Sequence, residues 1–308
     1  MTVPLSDWDL NKAEKVDNEI ILGKHNLHSS GRFTDDALIK LFDCHPRECM
    51  PMATMGDDPA NNSDWMSGTP GDIPGKDILD AIKHGKLWLN LLRLEQNPVY
   101  RDMMDKMFSE MQVPTSRNSL TLLVSSPNTQ VYYHVDPNQV TLYHIRGNKR
   151  IWIYPNNDPN LINQQDLECI FSRESEEEVS FRSDWDKLAQ SFALNEGEYI
   201  NWPQNCPHRV VTADNFNVSL SAVFYTRAAQ RKEWVYCANR AFRKFVPFAF
   251  RDTSISGIIP EAKIQAFRVL RKIKIVTEHT YTLDKKFQVD PNSPNGYFIK
   301  GSEKDKSA

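Results

Sequence analysis

The stretch from Tyr132 to Trp152 reads YYHVDPNQVTLYHIRGNKRIW, and its pattern decides the fold. Runs of β-branched and aromatic residues are cut by the turn pairs Pro137-Asn138 and Gly147-Asn148. That predicts strands near 130–135, 139–146 and 149–154. The same rhythm extends outward to strands near 119–126, 191–194, 198–202, 208–213 and 216–226. Pro127-Asn128, Glu196-Gly197, the segment from Pro203 to Pro207, and Asp214-Asn215 separate them. Eight short strands at this spacing predict a mainly β chain, a double-stranded β-helix of the jelly-roll, cupin-like kind.

Within that frame lies a set of metal-binding residue types. On a strand, residues i and i+2 share a face, so His134 and Asp136 can grip one ion without bending the backbone. His208 follows the turn Pro203-Gln204-Asn205-Cys206-Pro207, whose prolines fix where the imidazole emerges. Asn205 suits a left-handed position in that turn. Two imidazoles and one carboxylate form a facial triad, which holds Fe(II) on one side and leaves positions open for O2 and a co-substrate. A lone His-x-Asp means little; here it has company. Gly147-Asn148 is read as a hairpin turn, which makes Lys149 the start of a strand returning beside 139–146. From there its ammonium can point into the barrel toward an anionic ligand, or outward to solvent.

The flanks read differently. Residues 1–115 are expected to be a helical and loop region packing on the barrel. Thr34 caps a helix over Asp35–Phe42, and Gly85 stops one over Lys76–His84. Residues 87–94 read as a buried strand, and Asn97-Pro98 opens a helix carrying Met103, Met104, Met107, Phe108 and Met111. The Gly-, Pro- and Asn-rich segment 51–75 reads as a long loop. The barrel spans 116–226 and carries an excursion at 156–190 that includes the acidic run Glu174–Glu178; this excursion and the 51–75 loop are expected to shape the entrance. Helices at Ala228–Phe245 and Pro260–Val276 fill a C-terminal region, 227–285, and 286–308 reads as a frayed polar tail.

The composition sets bounds. The 308 residues, 40% hydrophobic and 25% charged, can bury a sizeable core. No long apolar run predicts a membrane span, and no basic-then-apolar leader opens the chain. Five scattered cysteines without a Cys-x-x-Cys read as reduced thiols of a cytoplasmic protein. The net charge of −3 hides a basic stretch, Arg227–Val276, with 12 Lys/Arg against three acids. Such charge suits solvated helix faces or acids of a partner subunit better than nucleic acid. The apolar residues of the same helices point to a homodimer.

Taken together, His134-x-Asp136, Lys149 within an Ile-Arg-Gly-x-Lys-Arg run, and the Gly197…Pro203…His208 turn resemble the JmjC-type cupin 2-oxoglutarate/Fe(II) oxygenases. The likeness covers Ser125 to Thr226, about a third of the chain. It is strongest to the branch that holds the HIF asparaginyl hydroxylase and bacterial cupin-like proteins. The resemblance implies that His134, Asp136 and His208 bind Fe(II) and that Lys149 pairs with the distal carboxylate of 2-oxoglutarate. It implies that Thr141 and Ser221 face the same ligand, and that O2 is the second co-substrate. The implied reaction decarboxylates 2-oxoglutarate to succinate while hydroxylating a small molecule or a protein side chain. Val131 and Val223 stand where the family often has Thr and Asn, so Tyr133, Tyr143 or Asn128 is expected to supply a missing hydrogen bond. A non-catalytic cupin-like regulator with a vestigial site is the alternative reading.

Overall fold

The computed structural model describes residues 5–61, 64–156, 158–175, 179–246, 251–276 and 284–300. The eight strands expected from the sequence divide equally between two antiparallel sheets. In the larger sheet lie β5 (Ser116–Ser125), β7 (Gln139–Arg146), β10 (Glu198–Trp202) and β12 (Asn217–Tyr225), ordered β10-β7-β12-β5. The smaller sheet has β6 (Gln130–His134), β11 (His208–Thr212), β8 (Lys149–Ile153) and β9 (Gln190–Leu194), ordered β6-β11-β8-β9. Alternate residues of both sheets meet in one apolar cluster, with Val140, Leu142, Ile200 and Trp202 against Ile151, Ile153, Leu194 and Val210. The architecture is the double-stranded β-helix, mainly β with flanking helices.

The sequence reading of the Gly147-Asn148 turn requires correction. β8 does not return beside β7; it crosses to the smaller sheet and pairs with β11 and β9. The reason is that both edges of β7 are already taken, by β10 and by β12. A strand leaving this turn has no free edge there, so it changes sheet, and Gly147 at φ 83° makes the corner.

The larger sheet also runs well beyond the barrel. On one side β1 (Ile21–Lys24) adds to β10. On the other, β4 (Trp88–Leu91), β2 (Met52–Thr54) and β3 (Met66–Thr69) continue from β5. The segment 51–75, expected as a loop, thus contributes two strands. At the far edge, β13 (Lys285–Val289) pairs in parallel with β3, and β14 (Tyr297–Ile299) pairs with β13. Where a frayed tail was expected, Phe287 is fully buried. Its short exposed–exposed–buried pattern hides that strand in a polar sequence. Residues 301–308, and 176–178 of the acidic run, lie outside the described residues.

Helices α1 (Leu10–Lys15), α2 (Asp35–Cys44), α3 (Gly75–His84) and α4 (Pro98–Met111) precede the barrel. Thr34 and Asn97 accept backbone N–H groups as N-caps of α2 and α4. The methionines of α4 are buried in the main core. The excursion at 156–190 holds a helix absent from the sequence reading, α5 (Gln164–Phe171). After the barrel come α6 (Arg227–Arg243) and α7 (Ile258–Lys272). Their charges find acids within the same chain: Arg231 with Glu261, Arg240 and Lys244 with Glu174, and Arg243 with Glu168. Among the described residues no helix is long and apolar enough to cross a membrane.

Candidate metal centre and co-substrate pocket

β6 and β11 run side by side, with His208 in register with His134. Two residues past His134, Asp136 brings its carboxylate to within 3.4 Å of His208 Nε2. One ligand atom from each of the three residues lies within 4.8 Å of the others. The imidazole centroids are 4.1 Å apart, and Trp202 packs against His208 at 4.7 Å. The turn before His208 is built as the sequence suggests, with Asn205 left-handed at φ 69°.

The hydrogen bonds fix which nitrogen faces the centre. His134 Nδ1 lies 2.8 Å from the Tyr132 carbonyl, and His208 Nδ1 lies 3.1 Å from that of Cys206. A carbonyl only accepts, so each Nδ1 carries a proton, which leaves Nε2 as the nitrogen available to a metal. Burial, with the neighbouring His134, holds His208 well below the usual imidazole range, so it stays neutral. Burial pushes the Asp136 carboxyl up, and His134 opposes this only in part. Two imidazoles and a buried carboxyl group converging on one point are the donor set of a divalent metal site.

The triad opens on a cavity of about 430 Å³ between the sheets. From the smaller sheet come Lys149, Val131, Val210 and Thr212; from the larger come Ser221, Val223, Val140 and Leu142. Lys149 is buried and, among the described residues, its ammonium makes no hydrogen bond or ion pair. Burial alone pulls its ammonium down to about 7. A lysine in this position is short of an anion.

Several expected residues are placed differently. Thr141 is buried, but on the opposite face of β7 from the cavity. Val140 and Leu142 line the cavity, while the Thr141 hydroxyl accepts from Asn201 Nδ2 at 3.2 Å. The cause is strand parity: a shift of one residue turns a side chain to the other face. Ser221 does line the cavity. Its cross-strand partner Thr121 on β5 lines it too, and neither hydroxyl has a hydrogen-bond partner among the described residues. Thr121 is absent from the sequence reading, although the polar alternation Ser119, Thr121, Ser125 in β5 carries the signal. Tyr133, Tyr143 and Asn128 do not reach the cavity. Tyr133 donates to the Leu161 carbonyl at 3.0 Å, and Tyr143 packs on His25 and Tyr199 in another part of the core. Among the described residues, none of 51–75 or 156–190 lines the cavity; Ala53, Met55 and Trp65 pack behind its wall with Trp88, Val131 and Tyr132.

By sequence, no family model matches the chain, and no curated protein matches it. Solved structures do resemble it. Escherichia coli ycfD aligns with 86% of this chain and 68% of its own, at 12% identity and a TM-score of 0.52. A structure of the same protein, described as a ribosomal oxygenase in complex with cobalt and 2-oxoglutarate, aligns with 88% of this chain and 68% of its own. Its identity is 12% and its TM-score 0.49. At such identity the likeness is one of architecture: this chain has the fold of E. coli ycfD.

Proposed function

We propose that this chain is an Fe(II)- and 2-oxoglutarate-dependent oxygenase. A fold hosts many activities, so the reading rests on the site. The observation that carries it is one cavity holding a His134–Asp136–His208 donor set at one end and a buried lysine without an anion at the other. Bound Fe(II), with O2 and 2-oxoglutarate, supplies oxidative decarboxylation to succinate and CO2 coupled to hydroxylation of a substrate C–H bond.

The chain's own residues do the rest. His134, Asp136 and His208 would hold the ion at the cavity wall. Lys149 receives the distal carboxylate, which restores its charge in a site where an unpaired ammonium is costly. Ser221 and Thr121 offer hydroxyls to the same carboxylate. Val131, Val140, Val210 and Val223 keep water from the co-substrate's methylene groups. Anaerobic loading with Fe(II), followed by succinate measurement against added 2-oxoglutarate, tests the reading; metal retention without 2-oxoglutarate-dependent succinate would refute it.

The substrate is proposed to be a small molecule or a protein side chain. The five cysteines are free thiols, which suits the reducing cytoplasm. We also propose a homodimer through α6 and α7. What supports it is the apolar surface there, with Phe245 67%, Ile258 88%, Ile259 74% and Ile273 57% exposed. Light scattering at micromolar protein tests it; a monomer mass near 35.5 kDa refutes it.

A further inference from the structure

Charge within the cavity singles out one residue that the oxygenase reading leaves unused. Three lining residues carry formal charge: Asp136, Lys149 and Arg93. If the oxygenase reading holds, a divalent metal, Asp136, Lys149 and a dicarboxylate co-substrate balance one another. Arg93 is then unmatched. It follows β4 and opens onto the cavity mouth beside Asn90 and Leu92. Among the described residues its guanidinium makes no hydrogen bond or ion pair. The nearest acid in sequence, Glu95, is already committed: it accepts from the Ser119 hydroxyl at 3.0 Å and from the Leu120 N–H at 2.9 Å. Arg93 is also held left-handed, at φ 55° and ψ 44°, a conformation unfavourable for a residue with a long side chain.

Aromatic side chains line the same cavity. Trp88, nearly buried, lies 6.4 Å from Tyr132 between ring centroids, and Tyr132 meets His134 edge-on at 5.3 Å. Trp88 and Tyr132 offer an apolar surface to a substrate body, and Arg93 lines the same cavity. A guanidinium fork matches an oxyanion with two parallel N–H bonds.

We infer that Arg93 selects the primary substrate, which carries a carboxylate or phosphate on an apolar body. The inference rests on the oxygenase reading and deepens it. The test uses Zn(II)-loaded protein holding N-oxalylglycine, an inert 2-oxoglutarate mimic, and follows binding by ligand-observed NMR. The carboxylate arm pairs 4-phenylbutyrate with 4-phenylbutyramide and N-acetyl-leucine with N-acetyl-leucinamide. The phosphate arm pairs phenyl phosphate with phenol. At least one anion should bind roughly five- to ten-fold more tightly than its neutral partner, the lower figure reflecting solvent screening at an exposed arginine. Arg93→Gln should erase that preference and Arg93→Lys should retain part of it, with thermal melting confirming that both variants fold. Equal binding of every pair, or a preference that survives Arg93→Gln, overturns the inference while leaving the oxygenase reading intact. Failure of N-oxalylglycine itself to bind refutes the oxygenase reading, and the inference falls with it.

Discussion

Lys149 stands directly across from Thr212, four residues beyond His208 on β11. At about 3.3 Å per residue, the lysine backbone lies roughly 13 Å along the strand from the His208 backbone. His208, Val210 and Thr212 share the inner face, and Lys149 and His208 line the same cavity. The span suits a short dicarboxylate that chelates an ion at one end and meets an ammonium at the other.

His134→Ala, Asp136→Ala and His208→Ala should each abolish retention of Co(II) or Fe(II) and succinate formation. The far-ultraviolet dichroism should stay unchanged, because the strands carrying the three residues are held by their neighbours. Metal analysis after desalting checks this; a variant with full metal content removes its residue from the donor set.

Lys149→Met should raise the 2-oxoglutarate requirement by about ten- to a hundred-fold without loss of metal, the usual worth of a charge-assisted contact. Wild-type protein should also take up protons on binding 2-oxoglutarate. With the free lysine at about 7, most of it is neutral at pH 8, whereas the complex needs it charged. Calorimetry in buffers of different ionisation enthalpy should give uptake approaching one proton at pH 8, less at pH 6, and none in Lys149→Met.

The same depressed value has a stability consequence of definite sign. Between about 7 and the unfolded value near 10.5, the unfolded chain binds more protons than the folded one. The lysine's destabilisation of the ligand-free protein is therefore complete below about pH 7 and fades as the pH rises toward 10.5. The difference in denaturation midpoint between wild type and Lys149→Met should narrow over that window.

Ser221→Ala combined with Thr121→Val should raise the KM for 2-oxoglutarate several-fold, whereas Thr141→Val should leave it unchanged and lower the melting temperature. Co-substrate kinetics on the two variants separate a cavity face from a core face. A KM shift in Thr141→Val would reverse the face assignment of β7.

Phe287→Ala should cost about 3–5 kcal/mol, as expected for a fully buried aromatic side chain. Urea denaturation checks this; a cost below about 1 kcal/mol would mean that the C-terminal strands are dispensable.

The sequence discloses the triad because its geometry is local. His134 and Asp136 need only the two-residue period of a strand, and His208 needs only a rigid turn. Lys149 leaves its direction open in the sequence, and its neighbours depend on which edges of β7 are free, which no local pattern states. Thr141 misleads by a single residue: in Gln139-Val140-Thr141-Leu142 it is the apolar set that faces the cavity, and with both faces of β7 buried the polar set packs in the core instead. Thr121 goes unnoticed because its role depends on its pairing with Ser221, 100 residues away. The strands at Met52, Met66 and Lys285 are each five residues or fewer, and their apolar positions are too few to show a period.

The parallel pairing of β13 with β3 joins Lys285 to Ser67. During synthesis the N-terminal strands emerge first, and the jelly roll can close around the triad before β13 exists. Until it arrives, the edge of β3 is an open template for any extended chain nearby. Sealing of that edge therefore waits on the segment that carries β13, and the cavity can form while the seam is still open.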